Sequence, residues 1–301
     1  MTRRDLAGVF APITTPFDPA TGDIAPLHLR QNVARLIAQG LDGVVVAGST
    51  GEAPLLDPDE QRRVVEWARE ALPEDAWLIA GTGAESTRQT IALSRAAAQA
   101  GADAVLVRPP AYFAAAHSTR SIATHFRAVA DASPVPVLLY NIPKYTHLPL
   151  LPGLVEELAG YEHVVGIKDS SGDLANLVAY REAAPRWAVF VGSASLLYSA
   201  LELECNGGIL AVACFAPRPC ADLLAAFRSG DRTTARGLQE RLAPLDKEIV
   251  GRLGPAGVKA AMDAVGGGGG GAGLYGGPVR PPLAPLAPAD RERVAALVRG
   301  D

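Results

Sequence analysis

The sequence predicts an α/β protein whose core is a closed (β/α)₈ TIM barrel, followed by a helical extension. Eight short apolar runs alternate with amphipathic stretches at intervals of about 30 residues. Most of the apolar runs are continuous, as in parallel strands that are buried on both faces. After Gly230 three helical stretches follow without further strands. We therefore expect a catalytic barrel at residues 1–230 and a helical extension at 231–301.

The predicted strands are rich in aliphatic side chains and end at Gly, Pro or polar residues. In chain order they are Gly8–Ala11, Val44–Ala47, Trp77–Ala80, Ala104–Val107, Val135–Tyr140, Val164–Lys168, Val189–Val191 and Gly207–Val212. An open, doubly wound sheet is the alternative topology, and it calls for a Gly-x-Gly-x-x-Gly turn after an early strand. The turn Gly48-Ser49-Thr50-Gly51 does not supply that pattern, so the barrel is favoured.

Capping residues and glycines mark the helix ends. Asp57, with Glu60 three residues later, predicts a capping box, and Ser86 opens the next helix. Other helices are predicted at about Leu27–Gln39, Ser118–Ala132, Leu151–Ala159, Asp173–Ala184, Ser195–Glu204, Arg218–Phe227, Thr233–Ile249, Ala256–Val265 and Pro288–Arg299. The six glycines at 266–271 predict a flexible loop within the extension, without a chemical role.

Composition excludes several classes of protein. The 301 residues are 49% hydrophobic, and a net charge of −4 offers no basic surface for nucleic acid or anionic membrane. No apolar run reaches the roughly 20 residues of a membrane span, and no apolar signal core follows the first arginines. Three cysteines and five scattered histidines match no disulfide framework or metal spacing. We expect a cytoplasmic protein without a catalytic metal.

Lys168 is the first candidate for chemistry. Only four of the 28 basic residues are lysines, and Lys168 ends an apolar strand just before the turn Asp169-Ser170-Ser171-Gly172. A lysine amine can lose its proton and attack a carbonyl, whereas a guanidinium cannot at accessible pH. A lysine that only extends to solvent from a strand end would give the same pattern. The residues predicted at the other strand ends are therefore needed to distinguish these interpretations.

Catalytic groups of barrels gather at the carboxyl-terminal ends of the strands. The residues predicted there are Thr14, Thr15, Ser49, Thr50, Gly81, Thr82, Gly83, Arg108, Tyr112, Tyr140, Lys168, Gly192 and Ser193. They include no carboxylate pair for glycoside hydrolysis and no Ser/His/Asp set. Each has a plain structural alternative, such as a helix cap or a βα turn. Their joint placement favours chemistry.

An amine beside a phenol suits Schiff-base formation with a 2-oxo acid. Burial at a barrel mouth favours the uncharged, nucleophilic form of Lys168. Tyr140 can transfer the protons that imine formation requires. Ser49 and Thr50 can bind a carboxylate through N–H and O–H donors. The protonated imine then serves as the electron sink for making or breaking a carbon–carbon bond.

Three motifs, Gly48-Ser49-Thr50-Gly51-Glu52, Tyr140-Asn141-Ile142-Pro143 and Gly166-Ile167-Lys168-Asp169, occur in this order on the expected elements. With them the chain resembles the dihydrodipicolinate synthase / N-acetylneuraminate lyase family of class I aldolases, from about Gly8 to Leu286. The resemblance implies a lyase that needs no cofactor beyond the covalent imine. It also implies a homo-oligomer, typically a tetramer built as a dimer of dimers.

The resemblance also implies roles for single residues. Lys168 would form the Schiff base, and Tyr140 would act as proton relay. Ser49 and Thr50 would bind the carboxylate of pyruvate, and Ser49 would also supply the hydroxyl of the relay. Tyr112 would be the relay tyrosine that a neighbouring subunit contributes.

Further predicted substrate-binding residues lie in or after the last two strands. Gly192 and Ser193 follow the seventh strand, and Leu210 lies in the predicted eighth. The stretches 168–173 and 192–194, together with the tail around 257–263 and 275–278, are similar to the branch of 4-hydroxy-2-oxoglutarate and 2-keto-3-deoxy sugar-acid aldolases. N-acetylneuraminate lyase is less similar beyond the core motifs.

One position departs from the synthase branch of the family. In that branch an arginine after the Tyr-Asn-x-Pro motif holds the carboxylate of aspartate semialdehyde, and here the position is Tyr145. Lys144 or Arg108 could substitute for that arginine. This departure favours cleavage of hydroxy-oxo acids over lysine biosynthesis.

The preferred hypothesis is a pyruvate-dependent aldolase that cleaves or forms a 4-hydroxy-2-oxo acid. For 4-hydroxy-2-oxoglutarate the aldehyde product is glyoxylate. The first alternative is 4-hydroxy-tetrahydrodipicolinate synthase, which condenses pyruvate with aspartate semialdehyde. A non-catalytic oxo-acid-binding barrel and a phosphate-binding barrel, with Gly192-Ser193 and Gly207-Gly208 at the anion, are further alternatives. The expected partners are small molecules, a 2-oxo acid and an aldehyde.

Overall fold

A computed structural model describes residues 5–267 and 273–300. Within them eight parallel strands pair in chain order, and the last pairs with the first, so the barrel is closed. The strands are β1 (Gly8–Pro12), β2 (Gly43–Val46), β3 (Trp77–Gly81), β4 (Ala104–Val107), β5 (Val137–Asn141), β6 (Val164–Asp169), β7 (Ala188–Val191) and β8 (Gly207–Ile209). The predicted (β/α)₈ barrel is confirmed.

Helices pack around the barrel and continue beyond it. They are α1 (Pro26–Ala38), α2 (Pro58–Ala71), α3 (Thr87–Gln99), α4 (Thr119–Ala132), α5 (Pro143–Thr146), α6 (Pro152–Leu158), α7 (Leu174–Ala183), α8 (Leu197–Glu202), α9 (Pro217–Arg228), α10 (Arg232–Leu245), α11 (Arg252–Gly266) and α12 (Pro288–Arg299). Asp57 and Glu60 form the predicted capping box at α2, and the Ser86 side chain caps α3. The four-residue α5 was not predicted, because one turn is too short to show a helical period.

The buried side chains form two layers. One cluster fills the barrel interior and contains Phe10, Val45, Trp77, Ile79, Ala104, Leu106, Leu138, Tyr140, Ile142, Ala188, Phe190 and Ile209. A larger cluster lies between strands and helices. Lys168 pairs in register with Tyr140 and Phe190, and these two belong to the inner cluster. Because side chains alternate along a strand, Lys168 also faces the interior instead of pointing away from the sheet edge.

Two strand boundaries differ from prediction by more than one residue. β5 begins at Val137 instead of Val135, because Pro136 has no N–H to donate to a ladder. β8 ends at Ile209 instead of Val212, because the chain turns into a 3₁₀ helix at Ala211–Cys214. The predicted helix at 195–204 likewise begins as a 3₁₀ turn at Ala194–Leu196, before α8.

Three helices, α10, α11 and α12, follow the barrel. The predicted helix 233–249 is α-helical only as far as Leu245 and continues as a π-helical turn at Asp246–Gly251. Pro244, which lacks an N–H, lies two residues before this turn. α11 begins at Arg252, before the predicted residue 256. It is kinked at Gly254, whose φ is 58°. The predicted division at residue 230 falls in the turn between α9 and α10. Gly266 ends α11, and residues 268–271 of the predicted glycine loop lie outside the described residues.

None of the described helices combines the length and the apolar character that crossing a membrane would need.

Candidate active site

A cavity of about 610 Å³ opens at the carboxyl-terminal end of the barrel. From the strand ends and the loops after them it is lined by Pro12, Ser49, Thr50, Tyr140, Ile142, Lys144, Tyr145, Lys168, Ser170, Ser171, Gly172, Gly192, Ser193, Ser195, Ile209 and Ala211. From the carboxyl-terminal segment it is lined by Asp246, Lys247, Val250, Gly251, Arg252, Gly254, Pro255 and Val258. Most of the predicted site residues therefore meet here, and the helical extension supplies an unpredicted wall.

Lys168 and Tyr140 are direct neighbours in this cavity. Lys168 Nζ lies 3.2 Å from Tyr140 Oη and 4.3 Å from the centre of the tyrosine ring. The lysine is only 5% exposed. Among the described residues no carboxylate forms an ion pair with this amine. The phenol is thus close enough to exchange a proton with the amine directly.

A buried polar network ties together the ends of β5 and β6, one residue beyond the lysine and tyrosine. Asn141 Nδ2 donates to Asp169 Oδ1 (2.6 Å) and to Tyr180 Oη (3.1 Å), and Asn141 Oδ1 accepts from Leu150 N (3.0 Å). Asp169 Oδ2 accepts from Ser171 Oγ at 2.6 Å. Burial raises the pKa of Asp169, although its bonds from Ser171 and Asn141 act against this. The network holds two adjacent strand ends in fixed register.

The Ser49–Thr50 turn presents unused hydrogen-bond donors to the cavity. The backbone N–H groups and hydroxyls of Ser49 and Thr50 donate to no group in residues 5–267 or 273–300. Two non-glycine residues with positive φ, Ala47 at 50° and Glu52 at 59°, flank the turn. Such backbone conformations persist only where the surroundings fix them. The turn is therefore a preorganised group of donors of the kind that binds a carboxylate.

Gly192 and Ser193 line the cavity, but the serine hydroxyl is already engaged. Ser193 Oγ donates to Asp246 Oδ2 at 2.6 Å, and the same oxygen accepts from Ser195 N and Oγ. The predicted substrate contact through this hydroxyl would have to replace that bond. At Gly192 a side chain would overlap Ser170 Oγ, so the close approach of these two loops requires glycine.

Leu210 was predicted to bind substrate, but its side chain does not line the cavity. Its side chain is fully buried in the layer between strands and helices, and its N–H donates to Phe10 O at 2.9 Å. The two flanking residues, Ile209 and Ala211, line the cavity instead, because side chains alternate along the extended backbone at Leu210.

Tyr112 and Arg108 lie outside the main cavity. Tyr112 is 81% exposed, and its N–H donates to Glu85 Oε2 at 2.8 Å. Arg108 pairs with Glu85 Oε1 at 2.8 Å and lines a smaller cavity of about 250 Å³, which also touches Ser49 and Tyr140. Within one chain Tyr112 does not reach the amine, and its role as a residue contributed by a neighbouring subunit stays a prediction.

The outer part of the main cavity carries an excess of positive charge. Among the described residues the cationic side chains that line it are Lys144, Lys247 and Arg252, whereas Asp246 supplies the one carboxylate. Arg252 is paired with Asp290 at 3.0 Å, and Lys144 Nζ donates to a backbone carbonyl. Lys247 is exposed and has no ion-pair partner among the described residues. This part of the cavity suits an anionic group.

The site combines a buried amine, a phenol, a group of carboxylate-binding donors and outer cationic side chains. These groups can bind a 2-oxo acid covalently and hold a second, anionic reactant near it. In the described part of the chain no three His, Cys, Asp or Glu residues are grouped as metal ligands. The absence of a catalytic metal or other cofactor stays a prediction.

Comparison with known sequences gives a consistent result. The model of the dihydrodipicolinate synthetase family matches residues 5–300. The chain is 38% identical over 282 residues to 4-hydroxy-tetrahydrodipicolinate synthase of Methanothrix thermoacetophila, covering 93% of this chain and 92% of that protein. It is 34% identical to the enzyme of the same name from Pseudomonas aeruginosa, with 98% of each chain covered.

Solved structures agree with the sequence relatives. A dihydrodipicolinate synthase from Bacillus anthracis superposes with a TM-score of 0.91 at 29% identity, over 99% of both chains. YagE, a prophage protein of the dihydrodipicolinic acid synthase family from E. coli K12 solved with pyruvate, gives 0.90 at 30% identity, over 98% of both chains. The chain therefore belongs to the dihydrodipicolinate synthetase family, a family of carbon–carbon lyases and synthases.

Proposed function

We propose that this protein condenses pyruvate with aspartate semialdehyde, as a 4-hydroxy-tetrahydrodipicolinate synthase does. Lys168 Nζ attacks the pyruvate carbonyl, and loss of water gives an imine. Removal of a proton from the methyl group gives an enamine, whose carbon attacks the aldehyde. The amino group of the semialdehyde then displaces Lys168, which closes the ring and frees the enzyme. No cofactor beyond the imine takes part.

The observation that carries this proposal is the 3.2 Å contact between Lys168 Nζ and Tyr140 Oη inside the barrel. Imine formation needs one proton to leave the amine and another to reach the departing hydroxyl. A phenol at hydrogen-bond distance can serve both steps. The N–H and O–H donors of Ser49 and Thr50 are available for the pyruvate carboxylate and would fix its orientation.

The relatives favour the synthase over the hydroxy-oxo-acid aldolase that the sequence motifs suggested. The relatives from Methanothrix thermoacetophila and Pseudomonas aeruginosa are both named 4-hydroxy-tetrahydrodipicolinate synthase. Aspartate semialdehyde carries a carboxylate, and the cationic outer cavity suits it. We propose that Lys247, which lines the same cavity as Lys144, binds that carboxylate in place of the arginine absent at Tyr145.

The second candidate is an aldolase that releases pyruvate from a 4-hydroxy-2-oxo acid. Tyr145 favours it, because this side chain lines the cavity where the resemblance expects an arginine. Burial raises the pKa of Tyr145, and the nearby Tyr140 adds to the effect, so the phenol remains a neutral donor. Such a donor would suit an aldehyde that bears hydroxyl groups.

The proposed relay needs a second copy of the chain. Tyr112 is exposed and stacks edge-on against Phe113, which is also exposed. We propose that these two rings are covered by another subunit of a cytoplasmic homo-oligomer, so that Tyr112 enters the neighbouring site.

Turnover with a panel of aldehydes in the presence of pyruvate tests this proposal. The panel contains aspartate semialdehyde, glyoxylate, glyceraldehyde and N-acetylmannosamine, and pyruvate consumption is the common readout. We expect aspartate semialdehyde to give the highest kcat/KM. A higher value with glyoxylate would replace the synthase by the 4-hydroxy-2-oxoglutarate aldolase.

A matched variant separates the aldehyde site from the imine site. Lys168→Ala should lose turnover with every aldehyde, whereas Lys247→Ala should lose it mainly with aspartate semialdehyde. Equal losses with all aldehydes in Lys247→Ala would argue against a carboxylate site at Lys247.

A further inference from the structure

The chain buries a complete ion pair directly behind the Ser49–Thr50 turn. Lys259 Nζ lies 2.6 Å from Glu52 Oε1, and the two side chains are 1% and 0% exposed. Lys259 Nζ also donates to Pro278 O at 2.6 Å, and Glu52 Oε2 accepts from Arg280 N at 2.8 Å. Among the described residues Glu52 Oε1 has no other polar partner, so it depends on the ammonium group of Lys259.

Stability alone gives little reason for such a pair. Removing two opposite charges from water costs about as much as their attraction returns, and apolar replacements are often equally stable. Burial lowers the pKa of Lys259, while the charge and proximity of Glu52 raise it again. Each charge therefore depends on the other, and the pair fixes the relative position of its two chain segments.

The two segments are both part of the cavity wall. Glu52 lies two residues after Thr50, its φ is 59°, and its N–H donates to Ser49 O at 3.2 Å. Lys259 lies on α11, where its neighbour Val258 lines the cavity. On the other side of the turn, Thr15 Oγ1 donates to Gly51 O at 2.7 Å. The Thr15 hydroxyl thus holds the turn on the barrel side, and the charge of Lys259 holds it on the side of α11.

We propose that the Glu52–Lys259 ion pair positions the Ser49–Thr50 turn for binding the carboxylate of the 2-oxo acid. Neither side chain lines the cavity, so each acts through the turn and is a positioning residue. The pair holds the strained Glu52 backbone, and that backbone orients the N–H donors ahead of it. This inference depends on the proposed function, because it assumes that pyruvate binds at Lys168.

Trapping of the pyruvate imine with borohydride tests the inference at several pyruvate concentrations. The full-length wild type is compared with Glu52→Gln, Lys259→Met and the double variant. In both single variants the half-saturating pyruvate concentration should rise about tenfold, the effect of one misplaced charge-assisted hydrogen bond. The maximal yield of Lys168 adduct should stay near that of the wild type, because the amine itself is unchanged.

Asp103→Asn is the matched control. Asp103 accepts from Leu78 N (2.7 Å) and pairs with Arg69 (3.3 Å) at the opposite end of the barrel. It should lower the melting temperature without changing the pyruvate concentration at half-saturation. Where a single variant is too unstable, Glu52→Gln/Lys259→Met serves instead, because removing both charges leaves neither unpaired.

The outcomes separate the two proposals. In one outcome the wild type forms an adduct, and Glu52→Gln changes only the melting temperature, with a half-saturating pyruvate concentration within about twofold of the wild type. The pair is then merely structural, and the inference fails. If the wild type forms no adduct at all, the proposed function fails and this inference with it. A shift of half-saturation in the Glu52 and Lys259 variants, but not in Asp103→Asn, supports positioning.

Discussion

Replacing Asp169 by asparagine tests how the ends of β5 and β6 hold the reacting side chains. Asp169 accepts hydrogen bonds from Asn141 Nδ2 (2.6 Å), Ser171 Oγ (2.6 Å) and Ser171 N (3.3 Å). An asparagine has one carbonyl oxygen and one NH₂ group, so only one side of it can still accept. In either orientation a backbone or side-chain donor loses its partner inside the protein.

The structure gives the size of the effect. One unsatisfied donor at a buried site costs about 2 kcal/mol, which lowers the melting temperature of a chain of this size by about 3 °C. Asp169 is next to Lys168, and Asn141 is next to Tyr140, in paired register. A small displacement of reacting groups lowers rates strongly, so we expect kcat to fall by about ten- to a hundredfold.

Thermal unfolding and steady-state kinetics of Asp169→Asn, measured beside Asp173→Asn, provide the assay. Asp173 caps α7 by accepting from Ala175 N at 2.9 Å on an exposed loop, and asparagine caps a helix about equally well. The control should therefore keep both kcat and melting temperature. A kcat in Asp169→Asn equal to that of the control would show that the Asn141–Asp169 network does not position the catalytic pair.

Three further perturbations address other parts of the site and the fold. Tyr140→Phe keeps the ring but removes the hydroxyl 3.2 Å from Lys168 Nζ, so kcat should fall by about 10² to 10³ with little change in melting temperature. An unchanged kcat would show that Tyr140 is not part of the proton relay. Lys247→Ala should raise KM for aspartate semialdehyde about tenfold while KM for pyruvate stays constant, since it removes one charged contact to the aldehyde carboxylate. Burial lowers the pKa of His125 from 6.5 to about 4, with His117 and Arg108 adding smaller effects, so between these pH values the unfolded chain binds more protons than the folded one. The free energy of unfolding should therefore fall by about 3 kcal/mol as the pH drops from 6.5 to 4. In denaturant titrations His125→Asn should lose that part of the pH dependence. The same dependence of the unfolding free energy on pH in His125→Asn and in the wild type would contradict this.

Local signals in the sequence predicted local features of the structure. The Asp57–Glu60 capping box forms as expected, because both of its hydrogen bonds connect residues three positions apart. The continuous apolar runs predicted all eight barrel strands, because only buried parallel strands combine such runs with regular helical connections. Lys168 was placed correctly at a strand end, but its inward direction became clear only from the pairing register with β5 and β7.

Contacts between distant parts of the chain could not be predicted. Ser193 meets Asp246 across 53 positions, and a π-helical turn brings that carboxylate into the cavity. The buried partner of Glu52 is Lys259, 207 positions later, although Glu52 itself lies in a recognised motif. No periodicity connects such residues, because their proximity results from packing of the extension on the barrel. The direction of the Leu210 side chain, away from the cavity, was also not predicted, because its apolar neighbours in the sequence do not show which face of β8 is inward.

Borohydride trapping of the pyruvate adduct, followed by mass analysis of tryptic peptides, shows directly which lysine forms the imine. We expect one reduced pyruvyl adduct, located on Lys168, in the wild type and in Lys247→Ala, and none in Lys168→Ala. An adduct on another lysine, or full turnover by Lys168→Ala, would contradict the assignment of Lys168 as the amine that forms the imine.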